Sequence, residues 1–199
     1  MVAPRPLLLI CDVQERFRSA IFGFDQMTGT IQKMLKVAKI LEIPTLATEQ
    51  NPKALGSTIT ELNNLFDPSR HLGTFSKTTF SMVTYDDTLP VLEKHGHEAY
   101  IITGIESHVC VLQTALHLRR LPTEPEVYVL ADGISSCNKP EISIALKRME
   151  VAGVKVTTSE SLIFELLCDA NHSKFKQIAS LIKNEKSNTA EALKTLCVE

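Results

Sequence analysis

The chain has 199 residues, 44% of them hydrophobic and 22% charged, with 21 basic against 23 acidic side chains for a net charge of -2. That is the composition of a globular protein with one sizeable core. One domain over 1–199 is expected, its core over about 7–183 and a polar tail over 184–199. The charges are interspersed and form no basic stripe, so nucleic acid is excluded as a partner. No apolar run approaches the ~18 residues of a membrane helix, which excludes a membrane partner.

The five cysteines, Cys11, Cys110, Cys137, Cys168 and Cys197, are odd in number and show no zinc-binding spacing. They read as reduced thiols of a cytoplasmic protein. Met1 to Pro6 is too short and too proline-rich for a signal peptide.

In chain order, Leu7 to Cys11 is an unbroken apolar run ending at Asp12, the pattern of a strand buried on both faces. Ile31, Met34, Leu35, Ala38 and Leu41 mark an amphipathic helix over about 25–42. Pro44 to Thr48 reads as a second strand leading into the polar loop Glu49-Gln50-Asn51-Pro52. Residues 53–82 have no clean period beyond a short helix near 60–66, and a long irregular stretch in a compact domain is often functional. Asp86 to His95 reads as a helix with Gly96 as its C-cap. Val127 to Gly133 and Val154 to Thr158 read as strands. Helices are expected from Pro140 to Gly153, from Ser159 to about Cys168 and from Phe175 to Lys183, with a polar tail that frays from Asn184 or forms a helical turn or two over Ala190 to Leu196. This alternation predicts an α/β domain, a three-layer Rossmann-like fold around a mostly parallel sheet. Ligands bind such sheets beyond the carboxyl ends of the strands.

The stretch with most chemistry follows the buried run Ala99 to Thr103. The chain turns at Gly104, and a helix marked by apolar residues at helical spacing (Val109, Leu112, Leu116, Leu118) begins close to Cys110. A thiol at a helix N-terminus faces the positive end of the helix dipole, which favours thiolate. Alone, Cys110 also reads as an inert core cysteine, Asp12 as a turn cap and a lysine such as Lys77 as a solvated surface residue.

Together they have a pattern. Leu-Leu-Ile-Cys-Asp-Val-Gln at 8–14, the loop around Lys77 and Gly-Ile-Glu-Ser-His-Val-Cys at 104–110 resemble the isochorismatase-like cysteine hydrolases, over roughly 7–183. Thr48 to Pro52, Leu55-Gly56, Lys77-Thr78 and Phe80 to Met82 look closest to the eukaryotic isochorismatase domain-containing proteins. The resemblance implies a Cys-Lys-Asp triad of Cys110, Lys77 and Asp12. Asp12 would move the proton, Lys77 would favour the thiolate and Cys110 would attack a carbonyl to give a thioester. It also implies a cis peptide bond at Ile105-Glu106, with the Glu106 and Cys110 N–H groups as oxyanion donors. Gln14, Phe17, Glu49, Phe80 and Ile105 are the expected substrate contacts; Phe17 and Phe80 read equally well as core. His108 is taken as a neighbour that shapes the turn.

Two departures narrow the chemistry. Nicotinamidases carry an Asp-x-His metal pair after the second strand, where this chain has Thr48-Glu49-Gln50-Asn51. No metal and no cofactor is therefore expected. Isochorismatases proper generally lack the cysteine, because vinyl ether hydrolysis needs an acid. A small amide or related C–N bond is the leading substrate class. A vinyl ether hydrolase using Asp12 and Lys77, and a non-catalytic interaction protein, are the alternatives. The family often assembles, so a homo-oligomer, dimer or larger, is expected.

Overall fold

The computed structural model describes residues 5–84 and 86–197. Residues 1–4, 85 and 198–199, among them parts of the expected N-terminal stretch and of the polar tail, lie outside the described residues. Six strands form one parallel sheet: β1 (Pro6–Cys11), β2 (Thr45–Gln50), β3 (His71–Lys77), β4 (Ala99–Ile105), β5 (Glu126–Ser135) and β6 (Lys155–Thr157). Their order across the sheet is β3-β2-β1-β4-β5-β6. The chain builds outward from β1 through β2 to β3, then returns to lay β4 on the other side of β1. The strand order therefore reverses between β1 and β4, and the crevice expected at such a switch point lies beyond their carboxyl ends.

Alternation along β1 sends Leu8 and Ile10 to one face and Leu7, Leu9 and Cys11 to the other. The first face packs under α1 (Phe24–Leu41), α7 (Ser159–Leu167), α8 (Phe175–Asn184) and α9 (Lys186–Leu196). The second packs under α4 (Thr88–His95), α5 (Leu112–Leu118) and α6 (Lys139–Val151). Helix α1 forms because Met27, Ile31, Met34, Leu35 and Ala38 recur on one side, and all are buried. Two single turns, α2 (Pro52–Leu55) and α3 (Thr60–Asn63), lie between β2 and β3.

Two expectations are corrected. The stretch read as aperiodic contains β3, an edge strand with a polar sequence and only its last residue buried, so neither face shows an apolar alternation. The tail expected to fray from Asn184 continues as α9, docked against α1: Lys33 Nζ donates to Thr189 Oγ1 at 2.8 Å, and Lys36 pairs with Glu185 at 2.6 Å.

Gly104, the next-to-last residue of β4, has φ of 109°, in the region only glycine enters freely. A Cβ there would lie 2.2 Å from the Cys11 carbonyl oxygen, so β1 and β4 approach closely only because this side chain is missing. Gly104→Ala is expected to cost about 3 kcal/mol or more, read as a fall in the urea midpoint. A change below about 0.5 kcal/mol would show that the crevice does not depend on this close approach.

Candidate active site

The crevice brings the three residues singled out in the sequence together, each from a different element. Asp12 follows β1 at φ of 52°, a conformation aspartate tolerates, and is 1% exposed. Its N–H donates to Thr48 O at 3.1 Å, and its Oδ1 accepts the Thr48 hydroxyl at 2.8 Å. Thr48 thus holds Asp12 by its backbone and by one carboxylate oxygen.

Lys77 is the last residue of β3. Its Nζ donates to Asp12 Oδ2 at 2.6 Å, to Gln50 Oε1 at 2.7 Å and to the carbonyls of Phe80 and Thr79 at 3.1 and 3.2 Å. Cys110 Sγ lies 3.7 Å away. Both members of the ion pair are buried, so each charge depends on the other and on the surrounding dipoles. Burial works against the ammonium, but the Cys11, Asp12 and Cys110 groups around it prevail and raise its pKa above the ordinary 10.5. Lys77 is therefore a fixed cation through the neutral range.

Cys110 sits in a wide turn, Ser107–Val111, in which the Val111 N–H reaches back five residues to Glu106 O at 3.1 Å. Such turns recur at functional sites because they aim a side chain away from the regular helical path. The Ile105-Glu106 peptide bond is cis. Thr114 anchors the turn: its hydroxyl donates to Cys110 O at 2.6 Å and accepts the Met82 N–H at 2.8 Å. One threonine so links the cysteine turn to the segment whose carbonyls hold Lys77.

The remaining residues divide. The Glu106 carboxylate accepts the Cys137 N–H at 2.8 Å. His108 Nδ1 lies 2.9 Å from Ser136 Oγ, which also bonds Ser107 Oγ, so its ring is a brace for the turn. Phe80 is 50% exposed beside Lys77. Phe17 is half-buried against the α1 side of the core.

Three expected substrate contacts have other duties. Ile105 is sealed in the core, so its side chain has no route to a substrate. Gln14 is wholly buried: its amide nitrogen donates to Gln50 O and Gly56 O at 3.0 and 2.6 Å, and its oxygen accepts the Gln50 N–H at 2.8 Å. The Glu49 carboxylate accepts the Thr58 N–H at 2.7 Å and the Thr58 hydroxyl at 2.9 Å. Both secure the loop that follows β2.

Gln50 and Thr48 are site residues that the sequence reading missed. It ended β2 at Thr48 and treated Glu49-Gln50 as loop. With the strand carried to Gln50, alternation puts Thr48 and Gln50 on the side of Asp12 and Lys77, and Glu49 on the other.

Cys11 Sγ, a carboxylate oxygen of Asp12 and Cys110 Sγ lie within 4.8 Å of one another, a donor set a metal could use. The Lys77 ammonium already sits on the same carboxylate. An added cation would meet it at close range, so the residues fit a cation poorly.

The Isochorismatase domain family matches residues 6–161. The chain belongs to this family. Isochorismatase domain-containing protein 2A of Mus musculus is 40% identical over 182 residues, covering 89% of this chain and 82% of the mouse protein. A Caenorhabditis elegans structure described as MAR1 ribonuclease is 38% identical, covers 92% of each chain and superposes with a TM-score of 0.82. The YcaC gene product of Escherichia coli, described as an octameric hydrolase of unknown specificity, superposes with a TM-score of 0.83 at 21% identity, covering 98% of this chain and 94% of its own. That last likeness concerns the fold.

In this isochorismatase-family chain, Lys77→Met leaves Asp12 as a buried, uncompensated charge and is expected to cost about 3–5 kcal/mol. The double variant Asp12→Asn/Lys77→Met should lose less than Lys77→Met alone. Because the folded pKa of Lys77 lies above its ordinary value, the ammonium's contribution is whole at neutral pH and is lost as pH rises through the raised folded value. Urea midpoints should show the coupling at pH ~7 and its decay above pH ~10.5. Additive costs at neutral pH would disprove the coupling.

Proposed function

We propose that this chain is a cysteine hydrolase that cleaves a small amide or related C–N bond. The observation that supports this reading is the Lys77 ammonium between Asp12 Oδ2 at 2.6 Å and Cys110 Sγ at 3.7 Å. A cation so placed stabilises negative charge on the sulfur as it attacks and keeps the carboxylate aimed at the same space.

In the proposed cycle Asp12 takes the proton of Cys110, and the sulfur adds to the substrate carbonyl. The Glu106 and Cys110 N–H groups are proposed to receive the oxyanion that forms. Asp12 returns the proton to the leaving nitrogen, giving a thioester on Cys110. Water, deprotonated by Asp12, then releases the acid. The open side of the crevice is bordered by Phe80, which is proposed to cover the substrate's apolar part. Gln14 and Glu49 serve this chemistry indirectly, by fixing Gln50 and the loop beyond it.

The C. elegans relative's name favours a second reading, phosphodiester cleavage in RNA. That reaction needs free cations for the phosphates, whereas Lys77 is engaged by a carboxylate, an amide and two carbonyls, and the net charge is -2. Amide cleavage therefore leads. A vinyl ether hydrolase and a non-catalytic interaction role rank below it, since neither uses a thiol beside a buried lysine. Among the described residues no helix is long and apolar enough to cross a membrane, and a cytoplasmic setting is proposed from the unpaired thiols.

A panel of small amides and ureas, with a single-stranded RNA and a vinyl ether alongside, tests the reading. Turnover of an amide is expected, with an acyl adduct on Cys110 trapped by acid quench and mass spectrometry. Cys110→Ala should lower that turnover about 10³-fold or more while the protein stays folded. Full activity of Cys110→Ala on any of these substrates would refute the covalent route.

A homo-oligomer is proposed as well, with α6 at the contact, because Ile144 and Val151 on that helix are 63% and 85% exposed. Light scattering should return a mass at least twice 22.1 kDa. Ile144→Lys should lower it. A monomer at micromolar concentration would end the proposal.

A further inference from the structure

Cys11 is the residue before Asp12, and the proposed reaction does not use it. Strand alternation turns its side chain to the face that also carries Cys110, while Leu8 and Ile10 turn away. It is wholly buried, and Cys110 is 7% exposed. Their sulfurs lie within 4.8 Å, and the Cys11 thiol donates to Asp12 Oδ2 at 3.7 Å. Packing alone does not call for sulfur here, since valine or alanine would fill a strand position equally well. The other three cysteines, Cys137, Cys168 and Cys197, are exposed and have no thiol neighbour of this kind among the described residues.

We propose that Cys11 and Cys110 form a reversible dithiol–disulfide pair, in which a hydroperoxide oxidises Cys110 and Cys11 resolves it, withdrawing the nucleophile. The proposal extends the catalytic reading of Cys110 but rests on it only for the loss of activity; the disulfide itself can form in a protein that hydrolyses nothing.

The steps balance. The Cys110 thiolate attacks the distal oxygen of the hydroperoxide, forming an S–O bond, breaking O–O and releasing an alkoxide that takes a proton to become the alcohol. Cys110 is then a sulfenic acid. Asp12, beside the Cys11 thiol, accepts its proton. The Cys11 sulfur attacks the Cys110 sulfur, and the S–O bond breaks to release hydroxide, which takes that proton and leaves as water. Two thiols have lost two electrons, and the peroxide has gained them. A small dithiol reverses the reaction by exchange.

Each sulfur has a suitable setting. The Lys77 ammonium, 3.7 Å from Cys110 Sγ, stabilises the attacking charge. Burial, then the contact with Cys110 and the Asp12 charge, holds the Cys11 thiol well above its ordinary pKa, so it stays protonated in the resting site and leaves Cys110 as the sulfur that meets the peroxide. The sulfurs must close from within 4.8 Å to about 2.05 Å. Rotation about both χ1 angles is the motion invoked.

The test uses the reduced full chain with one to a few equivalents of hydrogen peroxide, a blocking alkylation in denaturant and a non-reducing digest. A cross-link between the Cys11 and Cys110 peptides, two hydrogens lighter than their sum, is expected. Native iodoacetamide labelling of Cys110 should fall about tenfold or more and return with dithiothreitol. In Cys11→Ser and Cys11→Ala the cross-link should be missing, and Cys110 should pass to the irreversible sulfinic acid. Either variant suffices if the other fails to fold by circular dichroism. If wild-type Cys110 oxidises while Cys11 stays fully alkylatable, or is bridged to Cys137 instead, the pair is refuted. If the cross-link forms but no amide is cleaved, the pair stands and the amide hydrolase reading falls.

Discussion

The buried ammonium of Lys77 is the constraint on which the rest of the site depends. A lysine out of water keeps its charge readily only with anionic and dipolar partners close around it. Here those partners come from four places: Asp12 after β1, Gln50 at the end of β2, the carbonyls of Thr79 and Phe80, and Cys110 after β4. Moving any of them leaves a charge or a carbonyl unsatisfied. Much of the polar structure around the crevice can be read as a means of holding those four in register.

Gln14 illustrates this. It touches neither Lys77 nor Cys110, but its three hydrogen bonds fasten the Gln50 backbone to the loop at Gly56. Glu49, facing the other way, fastens Thr58. Thr114 does the same from the helix side, joining the cysteine turn to Met82. Asp12, Lys77 and Cys110 are thus supported by residues that are themselves hydrogen-bonded, the condition under which a buried polar network rigidifies a site.

How much of this can be read from the sequence follows from what leaves a pattern. The buried strands β1 and β4 are unbroken apolar runs, and helix α1 repeats every three to four residues, so the parallel sheet and the carboxyl-end positions of Asp12 and Cys110 are legible. Strand β3 lies at the sheet edge, where a polar sequence gives no period, so the sequence places Lys77 in a loop and its part in the site follows only from the family resemblance. Ile105 is an expected substrate contact only through the family resemblance, and as the last residue of β4 its side chain points into the core instead. The duties of Gln14 and Glu49 depend on partners about forty and nine residues away, a kind of information no local spacing carries.

The C-terminal helix shows the same limit from the other side. Its sequence is polar, yet α9 lies on α1 because the contact combines apolar and polar groups. Lys33 is 2% exposed; its burial lowers its pKa, with Asp132, Glu160 and Glu185 partly offsetting that, and its Nζ is capped by the Thr189 hydroxyl at 2.8 Å. Glu185 joins Lys36 at 2.6 Å and Asn188 at 2.8 Å, which ties the start of α9 to α1. At the other end Leu196 comes down on Gly23, where a Cβ would meet its side chain at 2.8 Å. Gly23 also has φ of 60°, so the residue that begins α1 is a glycine for two reasons, conformation and clearance. The docking of α9 is therefore written at positions 23, 33 and 36, far upstream of the helix itself, which is why a reading of residues 184–199 alone finds a polar tail with at most a helical turn or two over Ala190 to Leu196.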